Sequence, residues 1–313
     1  MKFNVNSYHF KLLRDYERLS AFKEAIDDYA SSSNLNHDTN SDSDSDYIVA
    51  FDLGCGSGVL SYFARDYFDK IISIELSNST YNLCKENLKD FDNISTFNED
   101  ILDFDFEKIG QKADLIICEM LDTALIDEEE VPVLNYAKNY LKDDGIIIPQ
   151  AIINSAEAIF MNNHFIQYED DEYAPIYLML GKPMIYSEFE FLDDIDPNFS
   201  KIIDLKVLNK IELEENGFFE KIENDDVLKK FNLKDNFNIE EDKIKINGIK
   251  LTSYTKLNEN IICGPTPMLN PEMLIPIEET ELNFGDTLRV RLEYVMGGGV
   301  ETIKTEVLEI IHN

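Results

Sequence analysis

Residues 47–76 constrain the fold of this chain more than any other part of the sequence. The first of them, 47–51, are strand formers, and they lead into the turn 52–58, which reads DLGCGSG. An amphipathic stretch follows, with apolar residues at helical spacing. A second apolar strand, 71–74, then ends at Glu75. This order of strand, glycine turn, helix, strand and acid predicts a nucleotide-binding βαβ unit.

The glycines of the turn and the acid after the second strand indicate what this unit binds. Gly54, Gly56 and Gly58 have no Cβ, so the backbone can turn sharply and a ligand can approach its amides. Glu75 ends the second strand, where a carboxylate can accept hydrogen bonds from both hydroxyls of a ribose. Residue 59 is valine, whereas the G-x-G-x-x-G fingerprint of dinucleotide-binding proteins needs glycine there. The spacing therefore favours S-adenosylmethionine (SAM) over a nicotinamide dinucleotide.

Two further predicted strands also end in acidic residues. Residues 94–97 form a third strand followed by Glu99 and Asp100, either of which could accept a hydrogen bond from the exocyclic amine of adenine. Residues 113–118 form a fourth strand followed by Glu119, which we place at the mouth of the site because ligands bind at the carboxyl ends of parallel strands. The residues of the sheet edge that we expect at the cofactor are Asp52, Gly54, Gly56, Gly58, Glu75, Leu76, Glu99 and Asp100.

The chain divides into four segments by pattern and composition. Residues 1–30 carry apolar side chains at helical spacing and predict one amphipathic helix or two short ones. Residues 31–46 are polar, acidic and low in complexity, which predicts a disordered loop. Residues 47–150 predict a Rossmann-like domain, and residues 151–313 predict a β-rich, barrel-like domain for the substrate. The predicted fold class is therefore α/β followed by β.

Short apolar or alternating runs characterise the second half of the chain. Residues 286–294 alternate cleanly between apolar and polar side chains. The dipeptide Asn247-Gly248 lies between the apolar runs 244–246 and 249–251, which predicts a β-hairpin with its turn at this point. These patterns together predict an antiparallel barrel or sandwich.

Charge narrows the choice of partner. The 313 residues include 28 basic and 62 acidic side chains, for a net charge of −34. Such a surface repels phosphate backbones, so it disfavours nucleic acid as a partner and suits a basic protein or peptide. The same charge would also serve simply to keep the protein in solution.

Cysteine usage and hydropathy indicate the compartment. None of the four cysteines forms a C-x-x-C pair, which favours buried thiols in a reducing environment. The four histidines are scattered, so no metal site is expected. No run of about 18 apolar residues is present, and the first residues lack the apolar core of a signal peptide. We therefore expect a cytoplasmic protein that does not associate with membranes.

Several blocks, in the right order, resemble the protein arginine methyltransferases, a SAM-dependent family. Residues 12–18 (LLRDYER) look like the family's N-terminal cap helix, and 49–61 closely match its glycine motif. Residues 74–75 match the strand end with the ribose acid, and 114–120 (DLIICEM) match the opening of its double-glutamate hairpin. Glu128 follows Glu119 by nine residues, which is the family's spacing for the second glutamate.

The resemblance implies roles for individual residues. Arg18 falls on the arginine that binds the SAM carboxylate, and His9 falls on a histidine near the cofactor. Glu119 and Glu128 fall on the two catalytic glutamates, which would hold the guanidinium of a protein arginine for methylation. The resemblance also implies a homodimer. Two glutamates at this spacing also occur by chance in so acidic a chain, and an exposed helix arginine is the alternative for Arg18.

The sequence also departs from the family pattern. The Thr-His-Trp loop should fall near 264–272, yet no histidine or tryptophan lies there. The hairpin interior, 120–127, lacks the usual Met-Gly-Tyr pattern. Three alternatives therefore stay open: methylation of another protein side chain or a small cation, SAM binding without turnover, and methylation of nucleic acid. The last is disfavoured because 118–121 lack the Asn/Asp-Pro-Pro-aromatic turn of the base amine methyltransferases.

Overall fold

The structure is a computed structural model, and it describes residues 2–32, 47–169, 175–220, 237–238 and 242–313. Most of the predicted disordered loop, residues 33–46, lies outside the described residues. Its first two residues, 31 and 32, belong instead to a helix, so the predicted start of the loop at 31 was wrong. Among the described residues, no helix combines the length and apolar content needed to cross a membrane.

Two helices precede a five-stranded parallel sheet. The predicted N-terminal helical segment forms α1 (Ser7–Leu12) and α2 (Tyr16–Ser32). The strands are β1 (Val49–Leu53), β2 (Lys70–Ile74), β3 (Ile94–Phe97), β4 (Ala113–Cys118) and β5 (Leu141–Ile148). The helices between them are α3 (Val59–Ala64), α4 (Asn78–Leu88) and α5 (Glu130–Ala137).

The strand order of this sheet, β3-β2-β1-β4-β5, defines where a ligand can bind. All neighbouring strands are parallel. The chain moves outward from β1 through β2 to β3, then crosses to β4 on the other side of β1. The crevice above the carboxyl ends of β1 and β4 is therefore the topological switch point, where ligands bind in open α/β sheets. Every residue of β1 is buried, as expected for a parallel strand covered on both faces.

The second half of the chain is built almost entirely of antiparallel strands. The strands are β6 (Ala151–Met161), β7 (Gln167–Tyr168), β8 (Tyr177–Met179), β9 (Met184–Glu190), β10 (Asn198–Lys206), β11 (Phe237–Asn238), β12 (Lys243–Lys256), β13 (Ile262–Cys263), β14 (Met273–Asn283), β15 (Thr287–Val295) and β16 (Lys304–Ile311). Helix α6 (Lys210–Glu215) follows β10. They form an eight-stranded and a three-stranded sheet, which confirms the predicted β-rich half. Closure of these sheets into a barrel stays a prediction.

The two halves share a hydrophobic core. One continuous cluster of buried side chains runs from Phe51 and Ile116 in the parallel sheet, through Leu125, to Ile152 and Val290 in the antiparallel sheets. Parallel pairing gives way to antiparallel pairing between β5 and β6, next to the predicted boundary at residue 150. The division into separate domains at this point stays a proposal.

The predicted hairpin at Asn247-Gly248 was wrong. Strand β12 runs straight through this dipeptide, with a shift of register against β14 between Ile246 and Gly248. The Asn247 amide is buried and bonds both the N–H (2.7 Å) and the C=O (2.8 Å) of Met161, so it replaces backbone pairing with β6. A Cβ on Gly248 would lie 2.9 Å from Ile159, so glycine here permits close strand approach rather than a turn.

A buried asparagine ties the N-terminal segment to the glycine turn. Asn87 of α4 accepts the Asn4 N–H (2.8 Å) and donates to the carbonyls of Asn4 (3.0 Å) and Ser57 (3.1 Å). All of its amide hydrogen-bonding groups are therefore used at a site where only 5% of the residue is exposed. This contact fixes the chain that leads into α1 against the loop expected to bind the cofactor.

Replacing Asn87 with alanine should lower the free energy of unfolding by about 1–3 kcal/mol, because buried backbone groups lose their partners. Urea unfolding followed by circular dichroism measures the change. Asn82→Ala, at an exposed position of the same helix, is the matched control and should cost less than about 0.5 kcal/mol. Equal losses in the two variants would contradict the clamping role of Asn87.

Candidate functional site

A cavity of about 300 Å³ lies at the switch point of the parallel sheet. Its size falls at the lower end of the range for small-molecule sites. It is lined by residues of α1, the glycine turn, the ends of β2 and β4, and the loops that follow them. The structure brings together at this cavity nine of the residues predicted from the sequence: His9, Arg18, Gly54, Gly56, Glu75, Leu76, Asp100, Glu119 and Glu128.

Three predicted cofactor residues do not line the cavity. The carboxylate of Asp52 is buried and accepts hydrogen bonds from the N–H (2.9 Å) and the hydroxyl of Ser61, so it holds the glycine turn to α3. Burial raises the pKa of Asp52 to about 6. Gly58 is the N-cap residue of α3, and a Cβ added to it would lie 2.6 Å from Leu88. Glu99 is exposed, and the neighbouring Asp100 is the acid that reaches the cavity.

The glycine turn is tightly packed against two side chains that also line the cavity. Gly54 and Gly56 adopt positive φ angles of 69° and 53°, which favour glycine. A Cβ on Gly54 would lie 2.7 Å from the Met120 side chain, and a Cβ on Gly56 would lie 2.9 Å from Nε2 of His9. Both positions therefore require glycine for conformation and for space.

The acid after β2 supports the same turn from the other side. Glu75 accepts the N–H of Gly56 (3.1 Å) and the N–H of Ser77 (2.7 Å), one with each carboxylate oxygen. These bonds orient the carboxylate along the cavity wall, where its remaining lone pairs can accept from ribose hydroxyls.

A buried ion pair joins a predicted cofactor residue to a predicted catalytic residue. Arg18 is 2% exposed, and its guanidinium donates to Oε2 of Glu119 and to the carbonyl oxygen of Leu12 (3.2 Å). Its Nε is buried without a hydrogen-bond partner. The guanidinium thus lies at the cavity wall with donor capacity left for the carboxylate of a ligand.

The two predicted catalytic glutamates differ in their surroundings. Burial raises the pKa of Glu119 to about 7; Arg18 opposes the shift, while Glu128, Asp15 and Asp52 add to it. Burial also raises the pKa of Glu128, helped by Asp127 and Glu129, although Glu128 is the more exposed of the two. Both carboxyls therefore bind a proton more readily than ordinary glutamates do.

Sequence reasoning missed several residues of the cavity wall. Tyr8 lines the cavity beside both glutamates, and burial together with the charges of Glu128 and Glu119 raises its pKa. Glu129 and Met268 also line it. The position of Tyr8 next to His9 was the one available signal, since Met268 reaches the site from a distant part of the chain.

The segment where the resembled family has its Thr-His-Trp loop contacts the N-terminal helices. Asp15 accepts the Thr266 hydroxyl and the N–H of Met268 (3.2 Å) with one oxygen. Its other oxygen accepts the N–H of Arg18 (3.1 Å) at the start of α2. Asp15 thereby holds Met268 at the cavity and connects that segment to the ion pair of Arg18 with Glu119.

The described residues contain no group of three or more histidine, cysteine, aspartate or glutamate side chains arranged to hold a metal ion. The lining fits SAM instead. The backbone of Gly54 and Gly56 lines the cavity, Glu75 presents a carboxylate, and Arg18 has an unpartnered buried N–H. These features match the needs of a ribose and an amino-acid carboxylate.

Comparison with known proteins agrees with this fit. The model of a methyltransferase domain family matches residues 44–191. An uncharacterized protein of Methanothermobacter thermautotrophicus is 36% identical over 310 residues, covering 98% of this chain and 100% of that protein. An uncharacterized protein of Methanocaldococcus jannaschii is 32% identical over 311 residues, covering 98% of this chain and 99% of that protein.

More distant relatives match in part or in fold. A ribosomal protein L11 methyltransferase of Thermoanaerobacter pseudethanolicus is 28% identical over 111 residues, which is 34% of this chain and 33% of that protein. Among solved structures, the Trypanosoma brucei PRMT1 enzyme–prozyme heterotetrameric complex with AdoHcy superposes with a TM-score of 0.65. That match covers 98% of this chain and 100% of the other at 15% identity, so it shows a shared fold.

Replacing Gly56 with alanine should weaken SAM binding at least about tenfold, because a Cβ at this positive φ would press on His9. Isothermal titration calorimetry measures the dissociation constant. Gly110→Ala is the matched control, since Gly110 has a similarly positive φ of 77° and a Cβ added there would meet nothing within 4 Å. An unchanged affinity in Gly56→Ala would show that the turn does not contact the cofactor.

The family match, the two relatives of full length and the cavity at the switch point agree with one another. The predicted cofactor is thereby confirmed as SAM. The chain belongs to the family of these two archaeal proteins and is a SAM-dependent methyltransferase with a Rossmann-like fold.

Proposed function

We propose that this protein transfers the methyl group of SAM to a guanidinium nitrogen of arginine in a basic protein or peptide. The observation that supports this most is that Glu119 and Glu128 line the same cavity as the glycine turn. Two carboxylates beyond the fourth strand would thus face a cation held in front of the methyl donor. The carboxylates of Glu75, Asp100 and Glu129 add to the negative lining.

Positioning would supply most of the rate in such a transfer, since the reaction is an in-line displacement at carbon. Each glutamate would hold the guanidinium through charge-assisted hydrogen bonds, of roughly 1.5–3 kcal/mol each. Two such bonds localise the positive charge on the nitrogens that they contact. The remaining nitrogen then keeps more of its lone pair for attack on the methyl group.

The proton that leaves the guanidinium needs an acceptor. SAM would supply the methyl group from its sulfonium and leave as a neutral thioether, and formation of the new C–N bond would release one N–H proton from the guanidinium. Glu119 suits this role because burial raises its pKa to about 7, so it can hold a proton near neutral pH. The guanidinium of Arg18 beside it limits that shift and so favours the ionised form of Glu119.

The nature of the acceptor is supported by charge and by the relatives. A net charge of −34 favours a basic partner and disfavours nucleic acid. The matched ribosomal protein L11 methyltransferases carry the name of a protein acceptor. Another protein side chain, or a small cation, is the alternative acceptor, because no His or Trp lies in 264–272.

We also propose that the protein is cytoplasmic. We further propose that it forms a homodimer, which sedimentation at micromolar concentration would test.

The acceptor can be identified with SAM that carries a tritiated methyl group. The purified protein should label protein rather than RNA or small molecules in a cell lysate. It should also label polyarginine in preference to polylysine. Acid hydrolysis of the labelled product should release methylarginine. Label in another amino acid would replace the arginine assignment with that residue.

Changing Glu128 to glutamine should reduce methyl transfer at least about 100-fold and leave SAM affinity within about twofold, because one charge that holds the acceptor is lost. Initial rates of tritium transfer and calorimetric SAM titration measure the two effects. Glu129→Gln removes a neighbouring charge from the same cavity wall and should reduce the rate less than about tenfold. Near-normal turnover in Glu128→Gln would overturn the double-glutamate mechanism.

A further inference from the structure

We propose that Asp122 and Glu130 are the positioning residues of the catalytic loop, residues 119–130. Each holds, through its carboxyl, the backbone beside one of the two cavity glutamates. Neither carboxyl lines the cavity, so both act through the groups that they hold. This inference rests on the proposed function, which gives Glu119 and Glu128 their roles.

Asp122 closes the second half of the loop onto itself. It is 7% exposed, and its Oδ2 accepts the N–H groups of Ile126 (3.2 Å) and Asp127 (2.9 Å). Its Oδ1 accepts the N–H of Glu128 (3.3 Å). One carboxylate therefore satisfies three successive amides and sets where the backbone of Glu128 lies.

The loop needs this support because its backbone is strained. Ala124 and Leu125 have φ angles of 61° and 63°, in the left-handed region that residues with a Cβ rarely adopt. Each such residue costs on the order of 1–3 kcal/mol, and the cost persists only where surrounding contacts hold the conformation. The three amides held by Asp122 follow these two residues directly, so the carboxylate stabilises the turn at the point of strain.

Glu130 holds the first half of the loop. It is the first residue of α5 and is fully buried. Its Oε2 accepts the N–H of Met120 (3.0 Å), the residue that follows Glu119, while its Oε1 is buried without a hydrogen-bond partner. The bond joins α5 to the end of β4 one residue away from the glutamate at the cavity.

Burying the carboxyl of Glu130 costs free energy of folding, so its presence there indicates a function. An apolar side chain would fill the same buried space without the penalty of burying a polar group. Glu130 bonds the Met120 amide, next to Glu119, and the Cys118 side chain at the end of β4, which indicates that its function is positioning.

Several ionisable groups surround the carboxyl of Glu130 and help to determine whether it is charged at neutral pH. Cys118 and Glu119, at the end of β4, and Glu128, from the loop, face its carboxyl. Burial raises the pKa of Glu130 to about 8, so the carboxyl is neutral at pH 7. In its neutral form Glu130 adds no second negative charge beside Glu119, which favours the ionised form of Glu119 that would bind a cation.

Amide substitutions distinguish the two positions. Asp122→Asn has one acceptor oxygen where two are used, and its NH₂ group would oppose a backbone N–H, so turnover should fall at least about tenfold. Glu130→Gln keeps an acceptor for Met120 and should retain at least about a third of the wild-type rate at pH 7. Glu130→Leu has no acceptor and should lose at least about tenfold. Asp103→Asn and Glu107→Gln, at exposed positions, are the matched controls.

The assay measures initial rates of tritium transfer into whichever lysate protein takes up the label, with calorimetric SAM titration as the check of folding. Glu130→Leu should lose rate while its affinity for SAM stays within about twofold of the wild type, and Glu130→Gln should restore the rate. A role in stability alone would lower the rate and the SAM affinity together.

The outcomes separate this inference from the proposed function. If Glu128→Gln is inactive while Asp122→Asn and Glu130→Leu bind SAM and turn over normally, the positioning inference is wrong and the double-glutamate mechanism stands. If Glu128→Gln is active, the proposed function fails first. If Asp122→Asn does not bind SAM, the Glu130 pair decides, and equal rates in Glu130→Gln and Glu130→Leu overturn the inference.

Discussion

The buried ion pair between Arg18 and Glu119 is the interaction on which the site depends. It joins helix α2, at the start of the chain, to the end of strand β4 in the centre of the parallel sheet. Removing one partner would leave the other charge buried and unpaired, which costs about 3–5 kcal/mol. The pair therefore fixes the N-terminal helices over the cavity and orients the Glu119 carboxylate at the cavity wall. Asp15 extends the same connection to Thr266 and so to the antiparallel half.

The antiparallel half shapes the catalytic loop as much as the parallel sheet does. The N–H of Gly297 donates to the carbonyl oxygen of Leu125 (2.9 Å), and the N–H of Ala124 donates to the hydroxyl of Ser253 (2.8 Å). Tyr168 donates to Asp127 (2.6 Å). The loop that carries Glu128 is thus held between the two halves, which explains why their apolar cores are continuous. Changes in the antiparallel sheets can therefore alter substrate position without altering SAM binding.

The features that were predicted most accurately from the sequence are those that local backbone conformation and close packing determine. The glycine turn and Glu75 were readable because positive φ angles and close packing impose glycine at fixed spacing. The position of Glu119 at the cavity followed from a strand end, whereas that of Glu128 followed only from the family resemblance. The hairpin prediction at Asn247-Gly248 was wrong because turn propensity reflects only neighbouring residues. The hydrogen bonds that keep the strand continuous join Asn247 to Met161, which is distant in the sequence. Tyr8 and Met268 were missed for the same reason, since tertiary packing alone brings them to the site.

Exposed and buried acidic residues therefore have different roles in this chain. Most of the acids that the structure describes are at least partly exposed, where a carboxylate costs little. Asp52, Asp122 and Glu130 are buried, and each bonds the backbone beside a functional segment: the helix after the glycine turn, or one arm of the catalytic loop. A carboxyl can accept two or more N–H groups at once, which no apolar side chain can do. The Met-Gly-Tyr pattern of the resembled arginine methyltransferases is absent from 120–127. In this chain the carboxylate of Asp122 holds the loop instead, by accepting hydrogen bonds from the loop's backbone.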